Sequence, residues 1–346
     1  MTPIFTSWEI EFSGIPLEPN KELNGLTFGS VGSGTTIDHI QVSFCGDDSF
    51  EWFGGTVNCK HLIAYSSVDD DFDTDFGYRG KVQFGLSIRN ENLSDAAGDS
   101  NCFESDNDAQ GSVAQPLTSP VFSNFTIIGA KGNGTVSLPI GEKFEKAFRL
   151  RRNTATSVFN SIVTGFEKGV SIEGVPVEDN LAGDTMRFHS NILSNFNTGT
   201  VCYTTTPGFM NSYFSQHNND SLSTLVDINW ITPFAPLGLT PDYRLNSGSV
   251  AATGADFSNE VFGGISSVSE LTNKITLYPN PTSSLLYVDE VSELEVINQN
   301  GQLIIKSKTD KLDLSNLVDG IYYVKVNNLY INKIVIKKWF IFGLSF

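Results

Sequence analysis

The sequence predicts an all-β protein, a right-handed parallel β-helix followed by a small Ig-like β-sandwich, and three observations predict it. Short runs of alternating apolar residues, such as Ile37-Asp38-His39-Ile40-Gln41-Val42-Ser43-Phe44, are broken by Gly, Asn and Asp at short intervals, and the body carries no helical period. The body also repeats itself in register, and the charge composition changes abruptly near residue 264.

The repeats come first. A shift of 22 residues lays HIQVSFCGDDSFEWFGG (39–55) over HLIAYSSVDDDFDTDFG (61–77). His39 meets His61, Asp47 meets Asp69, Asp48 meets Asp70, Phe50 meets Phe72, Glu51 meets Asp73 and Gly55 meets Gly77. A further shift of 31 brings Asn101-Cys102-Phe103-Glu104 onto the same pattern, the nine extra residues fitting a loop around Glu91 to Asp99. Downstream, FNSIVTGF (159–166) matches HSNILSNF (189–196) at a period of 30, with Ile162 over Ile192 and Val163 over Leu193. Stacked coils of a β-helix place equivalent residues above one another at about 4.8 Å, so Phe50, Phe72 and Phe103 are expected as an interior aromatic ladder. An antiparallel sandwich, the rival for so many short strands, requires no such register. The segment PDYRLNSGSVAATGADF, Pro241 to Phe257, reads as a last coil that closes the stack with small residues. The chain then divides into a body at 1–262, a Gly/Ser-rich linker at 263–274, a second unit at 275–338 and an apolar tail at 339–346.

Residues 1–264 hold 14 Lys and Arg against 31 Asp and Glu, whereas residues 265–346 hold 8 of each. The strongly negative body repels nucleic-acid phosphates and anionic lipid surfaces and favours metal cations or basic ligands, so no nucleic-acid partner is expected. No run reaches the roughly 20 apolar residues of a membrane helix, so no transmembrane segment is expected. The start, MTPIFTSWEIEFSGI, has neither the basic nor the apolar region of a signal peptide. Cys45, Cys59, Cys102 and Cys202 show no CxxC spacing; they read as unpaired core residues, with disulfide pairing left open.

Seven short strands can be written in the second unit: Ile275–Tyr278, Leu285–Val288, Leu294–Asn298, Leu303–Lys306, Lys311–Leu314, Ile321–Val326 and Asn332–Lys337. Asn300-Gly301 and Asp319-Gly320 supply tight-turn chemistry between them. With LYPNP, NQNGQL, LDLSNLVDGIYYVKV and a closing KIVIKK, the stretch Ile275–Lys338 resembles the type A C-terminal sorting domain that Gram-negative Bacteroidota attach to cargo of the type IX secretion system. The resemblance implies recognition by the type IX secretion machinery and a place outside the cell or on the outer-membrane surface. Such cargo first crosses the inner membrane by a signal peptide, so an N-terminally truncated chain is expected. Such domains usually end close to the final lysines, whereas WFIFGLSF, Trp339 to Phe346, follows here. The body, with IEFSGI (10–15), DDSFEWFGGTVNCKHLIAY (47–65), DDDFDTDFGYRGKVQFGLSIR (69–89) and FESDND (103–108), is similar to a family of Bacteroidota surface proteins that share this sorting domain. That similarity covers most of residues 9–262 and carries no activity with it.

The stacked register makes an acidic ladder. Glu51, Asp73 and Glu104 form one column, Asp48, Asp70 and Asn101 another, with Asp75 beside Asp106 and Asp47 beside Asp69. Unit charges about 4.8 Å apart repel by roughly 0.9 kcal/mol in water and about 3.5 kcal/mol at an effective dielectric of 20. Backbone N–H groups at the coil corners, the cations Arg79, Lys81 and Arg89, or a hard metal ion can offset this. Asp48, Glu51, Asp70, Asp73, Asp75, Glu104 and Asp106 are therefore candidate Ca2+ ligands. Asp71, Asp73 and Asp75 before Gly77 resemble a D-x-D-x-D calcium loop, although the Gly falls one place late for an EF-hand.

GDDSF (46–50) resembles the acidic motif of the polygalacturonases, without their G-H-G and R-I-K companions. Arg149, Arg151 and Arg152 form a basic strand that reads as a solvated face or as a partner for the acid excess. Trp52 and Phe53 are the aromatics nearest the acids, and His39 and His61 read as a polar ladder. The expected function is a secreted or cell-surface, non-enzymatic binding or adhesion-type β-helix with calcium-stabilised acidic turns and a polysaccharide or surface glycan as ligand. The alternative is a polysaccharide-active hydrolase or lyase.

Overall fold

A computed structural model describes residues 4–15, 23–95, 100–130, 144–194, 196, 201–222, 228–233, 241–262, 277–298, 302–327 and 330–338. The chain divides into two units, Met1–Gly263 and Gly264–Phe346.

The first unit is a parallel β-helix. One sheet stacks seven short strands in parallel: Leu26–Gly29, Phe50–Phe53, Phe72–Asp75, Phe103–Ser105, Lys146–Leu150, Lys168–Ile172 and Cys202–Thr204. The second stacks longer strands, Ile4–Glu11, Thr36–Ser43, Asn58–Tyr65, Lys81–Ile88 and Val121–Ile128, and continues through shorter segments to Asp220–Leu222. The repeat register is the pairing register: Phe50 lies on Phe72, Phe72 on Phe103, Ile162 on Ile192 and Val163 on Leu193. The aromatic ladder is present and one rung longer than expected. Its ring centroids are 5.6 Å apart for Phe50–Phe72, 5.0 Å for Phe72–Phe103 and 4.8 Å for Phe103–Phe148. Cys45, Cys59 and Cys102 are buried among these rings and Cys202 is half-buried; all four are free thiols.

From Thr36–Ser43 onward the long strands have a corner that the alternating pattern conceals. Ile37, Ile40 and Val42 all point inward, so two consecutive residues, Asp38 and His39, face out between them. The backbone turns there through a left-handed residue, and the same position recurs in successive coils: His39 (φ 54°), His61 (53°), Phe84 (64°), Asn124 (60°), Asn160 (53°), Ser190 (57°) and Asn218 (55°). Asn and His tolerate this conformation; for a bulky ring such as Phe84 it costs about 1–2 kcal/mol.

Two expectations for the body are corrected. It does contain helices, Val175–Ala182 and Phe209–Gln216. The first follows Gly174 at φ 98°, carries Pro176 in its first turn and buries Val177 and Leu181, one helical turn apart, in the coil interior. Nor is Pro241–Phe257 a last coil. Asp242–Leu245 pairs antiparallel with Trp230–Thr232, and Tyr243, Leu245 and Ala251 lie back over the long-strand sheet against a cluster of Ile128, Ile162, Leu222, Ile228 and Trp230. Covering Ile128 and Ile162 in this way removes apolar surface from water. Asn160 clamps the returning chain through both amide atoms, to Asp256 O at 3.1 Å and Asp256 N at 2.7 Å, and Phe262 packs on Phe159.

The second unit is one five-stranded antiparallel sheet of Leu277–Tyr278, Leu285–Ile297, Leu303–Asp313, Gly320–Val326 and Tyr330–Ile336. Two expected strand pairs are continuous, because the chain passes residues 289–293 and 307–310 without leaving the sheet. A register shift between Tyr287 and Ser292 falls where the sequence pattern separates the strands at Val288 and Leu294. Tyr322, Val324 and Val326 point into a core with Leu286, Leu294, Val296 and Ile334, as their alternation requires. The linker 263–274, the Asn300-Gly301 turn and the tail 339–346 lie outside the described residues.

Candidate acidic site on the short-strand sheet

Alternation builds the acidic face. Phe50, Trp52, Phe72, Thr74, Phe103 and Ser105 point inward, leaving Glu51, Asp73, Asp75 and Glu104 on the outer side of the same strands. Register then aligns Thr27, Glu51, Asp73, Glu104 and Arg149 in one column. The second column runs along the corner before these strands. There the Asp70 N–H donates to Asp48 Oδ1 at 2.8 Å, and the Asn101 N–H donates to Asp70 Oδ1 at 2.6 Å. Each corner carboxylate thus holds the backbone of the next coil.

The seven candidate ligands separate into three groups. Asp48, Glu51 and Asp73 converge, with one oxygen from each lying within 4.8 Å of the others; Asp47, Asp48 and Asp69 make a second such trio. Asp70 serves the corner, and Asp75 Oδ1 accepts from the Phe76 N–H at 2.6 Å. Glu104 and Asp106 are held by arginines: Arg149 Nη1 lies 3.3 Å from Glu104, Arg151 bonds both Glu104 and Asp106, and Arg152 Nη1 is 2.6 Å from Asp106 Oδ2. Of the two roles open to the basic strand, a solvated face or pairing with the acid excess, pairing is what forms.

The convergent acids resist ionisation. Burial first, then the charges of neighbouring carboxylates, push Asp48, Asp70 and Asp73 well above the ordinary carboxylate range. Burial lifts Glu51 to about 7 against the opposing hydrogen bond from Asn24, and lifts Asp69 to about 7 and Asp75 to about 6.

Other expected partners are elsewhere. Asp71 does not join a calcium loop with Asp73 and Asp75, because it turns inward ahead of the strand. There it accepts from Ser67, Ser87 and Arg89, whose Nε is 3.1 Å away, with both side chains fully buried. Lys81 donates to the carbonyl of Val261, and among the described residues neither it nor Arg79 meets a column carboxylate. Trp52 is fully buried beside Tyr78 and walls no groove. Sequence reasoning missed Asn24, whose side chain reaches Glu51 from 27 residues upstream with no repeat to flag it. It also missed a groove of about 740 Å³ outside the long-strand sheet, bordered by Trp8, Gln41, His61, Phe84, Tyr243 and Arg244.

Residues 6–230, roughly two thirds of the chain, match the family described as a pectate-lyase-like β-helix domain. The chain belongs to that family. Residues 276–341 match a secretion system C-terminal sorting domain. The pectate-lyase-like body is therefore cargo of type IX secretion, exported to the cell surface or the extracellular space. No curated protein and no solved structure matches the chain. Among the described residues of this β-helix protein, no helix is long and apolar enough to cross a membrane. Chemically, the acidic face of the pectate-lyase-like domain offers a cluster of oxygen donors that hold protons near neutrality, next to arginines already engaged by carboxylates.

Proposed function

We propose that the exported β-helix is a non-catalytic surface-binding module whose acidic face takes a calcium ion and whose partner is a polysaccharide or surface glycan. The convergence of Asp48, Glu51 and Asp73 carries this reading. Among the described residues no Arg or Lys pairs with any of the three, whereas Glu104 and Asp106 one coil further on are neutralised by arginines. Three such carboxylates keep protons or bind a cation. Calcium takes six to eight oxygens in irregular geometry, and extracellular modules bind it at sub-millimolar to millimolar levels, which suits a secreted protein. Hydroxyl or carboxylate groups of a glycan complete such a shell.

Lyase or hydrolase chemistry on this face has less support. Arg149 and Arg151 are tied to Glu104, and the paired acids, working against burial, raise the affinity of Arg151 for its proton, which removes it as a base. The test is calorimetric titration of the full chain with calcium, alongside melting curves in millimolar calcium and in chelator. Support is one saturable site that raises the melting temperature and disappears in Asp73→Asn. Identical melting with no heat of binding removes the reading.

A further inference from the structure

The four histidines of the chain occur as two stacked pairs at the corner of the long-strand sheet, His39 on His61 and His189 on His217, with ring centroids 4.2 and 4.3 Å apart. The first pair differs from the second in having a carboxylate between its nitrogens. Asp38 Oδ1 lies 2.8 Å from His39 Nδ1 and 2.6 Å from His61 Nδ1, so two imidazoles of successive coils address one oxygen. The corner produces this. A left-handed residue in each coil superposes the two rings, and Asp38, immediately before the first, turns out with them. Lys60, in register with Asp38, makes no ion pair with it among the described residues. The site is open to solvent: the side chains of His39, His61 and Asp38 are 56%, 41% and 32% exposed, and both rings border the 740 Å³ groove.

We infer that Asp38, His39 and His61 form a binding site for a divalent transition-metal ion, with Zn2+ as its representative, at the edge of this groove. Two imidazole nitrogens and one carboxylate oxygen are a borderline donor set that suits zinc, nickel or copper and disfavours calcium, which takes oxygens. The donors already lie within 4.8 Å of one another. Tetrahedral ligation at about 2.0–2.2 Å sets the donors about 3.3–3.6 Å apart, so the two short contacts open by about 0.5–1.0 Å to admit the ion, which exposed side chains at a corner can do. Three protein ligands leave the fourth position of a tetrahedral ion to water or to a donor group of whatever enters the groove. The site is separate from the acidic face, which lies on the other sheet, and the inference does not rest on the calcium reading.

The experiment is calorimetric titration of the full chain with zinc chloride, in millimolar calcium so that the acidic face is occupied or indifferent. The variants are His61→Asn, His39→Asn and Asp38→Asn. Asparagine serves because Asn124, Asn160 and Asn218 hold the equivalent left-handed corner in other coils, so the backbone is undisturbed; circular dichroism checks this. The expected result is one zinc equivalent in the wild type that each variant weakens by about tenfold or more, with the ring signals of His39 and His61 shifting on zinc addition. Absence of zinc binding in the wild type overturns the inference. So does zinc binding that the three variants leave unchanged, since the ion then sits elsewhere.

Discussion

Arg149 succeeds Glu104 in the outward column of the short-strand sheet, with its Nη1 3.3 Å from Glu104 Oε2. The acidic ladder therefore changes character along its length. At the Glu104 end, charge is met by charge inside the same stack of coils. At the Glu51 and Asp73 end it is met by a hydrogen bond from Asn24 and by retained protons. The two ends respond in opposite ways to loss of a group.

At the paired end, removal of a cation is destabilising. Arg151 bonds Glu104 and Asp106 together, and its side chain and theirs are 17%, 14% and 8% exposed. Arg151→Met leaves both carboxylates with weaker compensation from Arg149 and Arg152. Breaking a buried pair costs about 3–5 kcal/mol, and residual exposure and the remaining arginines bring the expected loss to about 2–3 kcal/mol in equilibrium denaturation. An unchanged midpoint with an unchanged slope contradicts the account.

At the unpaired end, the pH dependence has an unusual sign. Glu51 titrates at about 7 in the fold against an ordinary 4.5, Asp69 at about 7 against 3.8, and Asp75 at about 6 against 3.8. The folded protein therefore binds more protons than the unfolded chain between those limits. Stability from these groups is complete below their ordinary values and is lost as pH rises through about 6 to 7. In chelator, the melting temperature is expected to fall from mildly acidic to mildly alkaline pH. Calcium taking the place of the protons flattens that slope. Melting curves at several pH values, with and without calcium, measure both.

Two neighbouring aspartates should behave as opposites. Asp71→Asn leaves Arg89, whose side chain is fully buried, without its counter-charge, and is expected to cost about 3–5 kcal/mol. Asp73→Asn removes one of several mutually repelling carboxylates and supplies a neutral group of the same shape. In chelator it is expected to leave the melting temperature unchanged or higher while abolishing the response to calcium. A pair of melting curves per variant separates these cases, and equal destabilisation by both would contradict the division between inward and outward acids.

Much of this arrangement is legible in the sequence. The coincidence of residue type with spacing at Phe50, Phe72 and Phe103 carried both the coil and its register, because stacking in a parallel sheet repeats a residue's environment. The columns of acids followed from the same register. Fates of individual acids did not. Asp71 and Asp73 are two residues apart and look interchangeable in the sequence, yet one precedes the strand and turns inward, and the other stands on its outer face. The corner at His39 and His61 was hidden because a left-handed residue inserts one outward position into an otherwise alternating run. The helix at Val175–Ala182 carried readable signals, Pro176 near its start and Val177 with Leu181, that a strand-dominated pattern obscured. The strap from Asp242 to Phe262 repeats nothing, so register had no purchase on it.

The strap also sets where the body can be cut. The aromatic and aliphatic core of the first unit shares no residue with the core of the second, which comprises Leu286, Leu294, Val324, Ile334 and their neighbours. Removing residues 264–346 leaves every residue of that first core in place, and the shortened chain is expected to keep the far-UV circular dichroism and melting temperature of the body. A cut before residue 228 is different. It strips Trp230, Tyr243 and Leu245 from Ile128, Ile162 and Leu222, and takes Phe262 from Phe159. Each large side chain so uncovered forfeits roughly 1.5–3 kcal/mol of burial, and the exposed patch favours association. The shorter chain should melt at a markedly lower temperature and elute as larger species in size-exclusion chromatography, while the chain ending at Gly263 remains monodisperse. Equal behaviour of the two truncations would show that the returning segment contributes nothing to the fold, and an unfolded Met1–Gly263 chain would show that the two units do not fold separately.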